Sequence, residues 1–99
     1  MAEYGIALTT FADERQATPV IEEILNRNLA ACAQEIHIKS RYRWKGALCR
    51  DDEVLVLLKT RKELYPELEK TLLALHPYET PEILFLGAEA GSAAYLAWV

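Results

Sequence analysis

From Glu35 to Trp44 the chain alternates without a break. Ile36, Ile38, Ser40, Tyr42 and Trp44 fall on one side, and Glu35, His37, Lys39, Arg41 and Arg43 on the other. A period of two is the period of extended backbone, so the segment predicts a long strand with one wet face. Lys45-Gly46 then reads as a tight turn, the glycine supplying a positive φ, and Ala47 to Cys49 begins the return strand. That strand runs on through Val54-Leu55-Val56-Leu57-Leu58, which is apolar on both faces and so must be buried on both sides. With 99 residues the chain is one domain, 1–99, with room for a single core. A hairpin this long exceeds what such a core can cover, and its far half is expected to pack on another subunit.

The remaining elements follow from local pattern. Tyr4, Ile6 and Leu8 alternate and predict a first strand. Ala17, Val20, Ile21, Ile24, Leu25 and Leu29 recur at helical spacing opposite Glu22, Glu23, Asn26 and Arg27. Asp13 could open this helix, but Pro19 lacks an N–H, so the regular helix is expected from about Pro19 to Ala30 with Thr18 as its cap and any earlier turn bent. Thr60-Arg61-Lys62-Glu63 has the form of a capping box for a second helix striped by Leu64, Leu68, Leu72 and Leu75, with Pro66 bending its first turns. That helix is expected to stop at His76, ahead of Pro77. Ile83 to Leu86 reads as a last strand, and Gly91-Ser92 as the start of a short helix carrying Tyr95, Leu96 and Trp98. The order is β-α-β-β-α-β with a small helix appended. This is an α+β, ferredoxin-like sandwich: a four-stranded antiparallel sheet with two helices on one face.

Composition removes several classes of function. An apolar fraction of 52% excludes a disordered chain, and 11 Lys and Arg against 15 Asp and Glu give a net charge of −4. That balance disfavours a nucleic-acid partner, as does the alternation itself, which puts Lys39, Arg41 and Arg43 on the face opposite Tyr42 and Trp44. No apolar run approaches the roughly 20 residues of a membrane span, and no secretory leader is expected from the opening residues. Two cysteines, Cys32 and Cys49, make no disulfide framework, no CxxC redox pair and no zinc-finger cluster, which points to a reducing, cytoplasmic setting; each reads as a small structural residue or as a soft ligand for copper. No phosphate loop, nucleophile elbow or Ser-His-Asp arrangement is present, so no enzyme is expected.

The segment His76-Pro77-Tyr78-Glu79-Thr80-Pro81-Glu82 places an imidazole and carboxylates on a stiff loop between helix and strand. Imidazole nitrogen and carboxylate oxygen suit a transition metal, although the same residues also make a helix stop with a satisfied histidine and a solvated glutamate. Lys59, at the end of the most apolar run, is placed either to neutralise an anionic ligand or to pair with a carboxylate.

Taken together, several motifs are those of a known family. Thr9-Thr10-Phe11-x-Asp13-Glu14, Leu29-Ala30-Ala31-Cys32, Tyr42-x-Trp44-x-Gly46, Leu58-Lys59-Thr60, His76-Pro77-Tyr78-Glu79-x-Pro81-Glu82 and Tyr95-Leu96-x-Trp98 occur in order. In these the chain resembles the CutA divalent-cation tolerance family from about Tyr4 to Trp98. The resemblance implies a tight homotrimer, similar in architecture to the PII signalling proteins, whose long hairpins pair edge to edge. It implies tolerance of copper or other divalent ions, with clefts between subunits holding a metal or a small ligand and a PII-like signalling role. Carried over position by position, it makes His76 and Glu79 the metal-ligand candidates, with Lys59, Tyr78, Tyr42 and Trp44 lining the cleft. Thr9 and Leu75 stand where some members have cysteine and histidine, which removes two donors for copper. The rival expectation is a structural or interaction trimer with no specific metal site.

Overall fold

A computed structural model describes residues 3–99; Met1 and Ala2, part of the leader reading, lie outside it. The elements are β1 (Tyr4–Phe11), α1 (Glu14–Asn26), β2 (Cys32–Trp44), β3 (Ala47–Arg61), a 3-10 turn (Lys62–Leu64), α2 (Tyr65–Leu75), β4 (Ile83–Ala88) and α3 (Ala93–Trp98). The sheet order is β2-β3-β1-β4, and β1 pairs antiparallel with both β3 and β4. This is the ferredoxin-like α+β arrangement predicted from the order of elements.

Alternation assigns every sheet residue a face. Ala7, Thr9 and Phe11 of β1, with Val54, Val56, Leu58 and Thr60 of β3, point to the helices and are buried. Against them pack Ala17, Val20, Ile21 and Ile24 of α1 and Leu68 and Leu72 of α2. Gly5 is required where β1 meets β4, because a Cβ there would stand 2.4 Å from the Leu86 carbonyl oxygen and 2.5 Å from the Phe85 ring.

Two helices differ from the sequence expectation at their boundaries. Helix α1 begins at Glu14, capped by Asp13, whose side chain accepts the Gln16 N–H at 3.0 Å; Pro19 lies inside the helix. The proline forfeits a hydrogen bond from its own nitrogen, on an exposed side of the helix. The helix ends before Ala30, on Asn28 with φ of 58°, where Leu29 N–H reaches Ile24 O and Asn28 N–H reaches Leu25 O. That pair of bonds is the Schellman closure, with asparagine in the left-handed position. The second difference is Thr60, which caps no helix. It is the penultimate residue of β3, opposite Gly5, and its hydroxyl donates to Leu29 O at 2.7 Å. The helix after it opens with the 3-10 turn and carries Pro66 in its first turn, where a missing N–H costs nothing. It stops at His76 as predicted.

The hairpin is longer than its alternating segment, because β2 starts at Cys32, opposite Lys59. Lys45 and Gly46, with φ of 49° and 80°, form a two-residue turn of the primed type. Beyond the pair His37–Val54 no third strand accompanies the hairpin, since β1 ends at Phe11 opposite Val54. Residues 38–53 therefore project as a two-stranded arm. The arm accounts for the 44 Å long dimension and for a radius of gyration of 14.1 Å, above the roughly 13 Å of a compact chain this size.

Among the described residues the sheet face away from α1 and α2 is covered only locally, where Tyr78 reaches Glu53 and Tyr95 reaches Cys32. Ile36, Tyr42, Trp44, Leu84 and Leu86 on it are 40–54% exposed. Leu55 and Leu57 are partly covered, so the expected burial of the 54–58 run on both sides is complete only on the helix side.

A cleft between the hairpin arm and the loop after the second helix

A cleft of about 750 Å³ opens between the arm and the segment 77–82. One wall is built by strand alternation: Ser40, Tyr42 and Trp44 of β2 with Asp51 and Glu53 of β3 lie on the uncovered sheet face. The other wall is the loop Pro77–Thr80 with Glu82, held extended by its two prolines. Tyr42, Trp44, Tyr78 and Glu79, the residues assigned above to a cleft between subunits, all line this cleft within the chain.

Two phenols tie the walls to carboxylates. The Tyr78 hydroxyl donates to Glu53 Oε2 at 2.7 Å, and the Tyr42 hydroxyl donates to Asp51. Burial, followed by the bond to Glu53, raises Tyr78 well above the usual phenol range. The bond to Asp51 pushes Tyr42 up to about 12. In sequence the run Asp51-Asp52-Glu53 reads as a solvated turn with no acid–base role, whereas it lies inside β3. The hairpin register offered the signal: a two-residue turn sets Tyr42 opposite Cys49, which makes Asp51 its diagonal neighbour on the same face.

His76 lies behind the cleft, buried and stacked on Phe11 with ring centroids 4.3 Å apart. Its Nε2 donates to the Thr10 carbonyl at 2.8 Å, and its Nδ1 accepts the Tyr78 backbone N–H at 3.1 Å. These partners fix a neutral tautomer and occupy both nitrogens. Burial holds its pKa below the ordinary histidine value, against the opposing effects of the Thr10 bond and the Glu53 charge. In this arrangement His76 offers a metal no free lone pair.

Lys59 is apart from the cleft within the chain. It sits six residues beyond Glu53 on β3, about 20 Å along the strand, and donates to the Gln34 side chain. Among the described residues no three His, Cys, Asp or Glu side chains converge as a metal site. The cleft is rich in carboxylates even so, with Asp52, Glu79 and Glu82 beside the two bound by tyrosines.

Comparison with known proteins places this architecture. The family described as CutA1 divalent ion tolerance protein matches residues 5–99. The divalent-cation tolerance protein CutA of Thermus thermophilus is 36% identical over 95 residues, covering 95% of this chain and 92% of that protein. Protein CutA of Mus musculus is 38% identical over 94 residues; the chain spans 53% of its length, about half. The structure of CutA from Synechococcus elongatus superposes with a TM-score of 0.94 at 36% identity, covering 100% of this chain and 88% of that one. No helix among the described residues is long and apolar enough to cross a membrane. With its fold, its arm and its loop shared across nearly the whole sequence, the chain belongs to the CutA1 divalent ion tolerance family.

Proposed function

We propose that the chain works as a homotrimer that responds to divalent cations and holds a cation or small ligand in the cleft beside the arm, without enzymatic activity. One observation carries this reading: the cleft and the uncovered apolar face share the same arm residues, Tyr42 and Trp44. A neighbouring copy laid on that face would bury the apolar side chains and close the open side of the cleft in one step. The sheet supplies edges for such packing, since β2 and β4 are its outer strands. A ligand held where copies meet is placed to bias how they pack, which supports a PII-like signalling role.

Within the cleft, Glu79, Glu82 and Asp52 are exposed carboxylates of the lining. His76 joins them only by surrendering the Tyr78 N–H, so oxygen donors dominate and copper is bound less readily than a site with free imidazole would allow. A cytoplasmic setting accords with the two free thiols. Cys32 and Cys49 stand opposite Lys59 and Tyr42, about 33 Å apart along the hairpin, too far for a disulfide within the chain.

Calorimetric titration with Cu²⁺ at neutral pH, beside Glu79→Gln and His76→Ala, tests the ligand half of the proposal. Saturable micromolar binding weakened by either substitution supports it; weak binding that neither changes refutes it. Sedimentation at micromolar concentration tests the assembly, which a monomer would contradict. The engaged nitrogens of His76 favour one second reading, a structural trimer with no specific metal site. Trimeric mass without saturable metal or small-ligand binding would establish that reading.

A further inference from the structure

The arm carries a charge pattern of which the cleft lining takes in only Arg41 and the acids Asp51, Asp52 and Glu53. Five of the eleven Lys and Arg of the chain fall within residues 38–53, while the chain as a whole is at −4. Four of them share the arm face turned away from the uncovered apolar side: Lys39, Arg41 and Arg43 at alternate positions of β2, and Arg50 on β3. Arg41 and Arg50 stand directly opposite each other in the register. Opposite residues have Cβ atoms about 4.5–5.5 Å apart, and like charges there destabilise the pair. All four side chains are exposed, and among the described residues none reaches a carboxylate at ion-pair distance. Asp52, opposite Lys39, is the single carboxylate on this stretch of the face.

We propose that the Arg41–Arg50 pair, flanked by Arg43 and Lys39, is a binding site for a phosphate-chain anion. Two guanidinium groups held side by side offer planar donor pairs that match phosphate oxygens, and a bound anion removes the repulsion between them. A rigid two-stranded ladder fixes their spacing at little entropic cost. The face selects a small polyanion over a nucleic acid, because the aromatics Tyr42 and Trp44 lie on the other side of the arm and leave bases nothing to stack on. Arg41 and Asp52 also border the cation cleft proposed above, so this site adjoins it, with Arg50, Arg43 and Lys39 outside the lining.

The test is a calorimetric titration of the intact protein with inorganic tripolyphosphate in metal-free, low-salt buffer. Arg41→Gln/Arg50→Gln is measured alongside, with sedimentation and thermal melting of both proteins. Saturable 1:1 binding per chain is expected, weakened tenfold or more in the double variant and by added salt, with mass and melting retained. ATP, carrying the same triphosphate on a nucleoside, separates the sources. Equal affinity assigns an inorganic chain and a gain assigns a nucleotide, and either sustains phosphate recognition. Absence of saturable binding, or equal binding by wild type and variant, overturns the proposal. A double variant that loses oligomeric mass overturns it as well, because the arginines would then serve contacts between copies.

Discussion

The backbone N–H of Tyr78 donates to Nδ1 of His76 at 3.1 Å, so one imidazole lone pair fixes the loop from which Tyr78 reaches Glu53. A protonated ring has no lone pair at that nitrogen. The geometry thereby couples the charge of a buried histidine to the position of one wall of the cleft.

The pH dependence follows from the sign of the shift. His76 has a folded pKa below its unfolded value near 6.5, so its neutral form stabilises the fold fully above that pH. The contribution is lost as pH falls below 6.5 and levels off once the folded pKa is passed. Melting temperatures between pH 7.5 and 5 should fall more steeply for wild type than for His76→Phe, which keeps a ring against Phe11 and cannot titrate. Parallel curves would show that His76 does not set the dependence.

Two threonines predict opposite signs for one substitution. Thr60 donates its hydroxyl to Leu29 O, and Thr60→Val leaves that carbonyl short of a partner at a cost of about 1–3 kcal/mol. Thr9 is fully buried with no partner for its hydroxyl, so Thr9→Val should be neutral or stabilise by about 1 kcal/mol. Denaturant midpoints at unchanged slope are the measurement.

Gly5→Ala should be severe. The added methyl meets the Leu86 carbonyl at 2.4 Å, and backbone cannot yield as a flexible side chain would. A loss of about 3 kcal/mol or more is expected, with the β1–β4 pairing first to open. Faster amide exchange at Phe85 and Leu86 than at Leu57 would localise it.

Leu84→Lys/Leu86→Lys tests the uncovered face. Both side chains are more than half exposed within the chain, so the variant should keep its secondary structure. If copies cover this face, two buried charges per chain are prohibitive, and sedimentation should report a monomer. An unchanged mass would move the interface elsewhere.

Much of this was legible in the sequence, and the rest failed for definable reasons. The alternation from Glu35 to Trp44 gave the hairpin faces residue by residue, because a period of two has one structural solution. Cys32 to Gln34 escaped because they do not alternate; pairing with Leu57 to Lys59, distant in sequence, makes them strand. The Thr60 pattern matched a capping box equally well as a strand end, and only the long-range pairing with Gly5 decides between them. At the cleft, Tyr42, Trp44, Tyr78 and Glu79 were found from motifs. Lys59 was grouped with them although strand length alone carries it about 20 Å away. The occupied nitrogens of His76 were beyond reach, since Thr10 O and the Tyr78 N–H come to it only through the fold.

Strand β1 lies between β3 and β4, and this sets a timetable for the growing chain. The hairpin of β2 and β3 is local and zips from its turn within microseconds of emerging. The sheet cannot close until Ile83–Ala88 has been made, on the order of seconds later at ordinary rates of synthesis. For that interval a finished arm waits beside an unfinished body, its apolar side open. Any neighbour translated from the same message meets the arm before it meets the closed sheet.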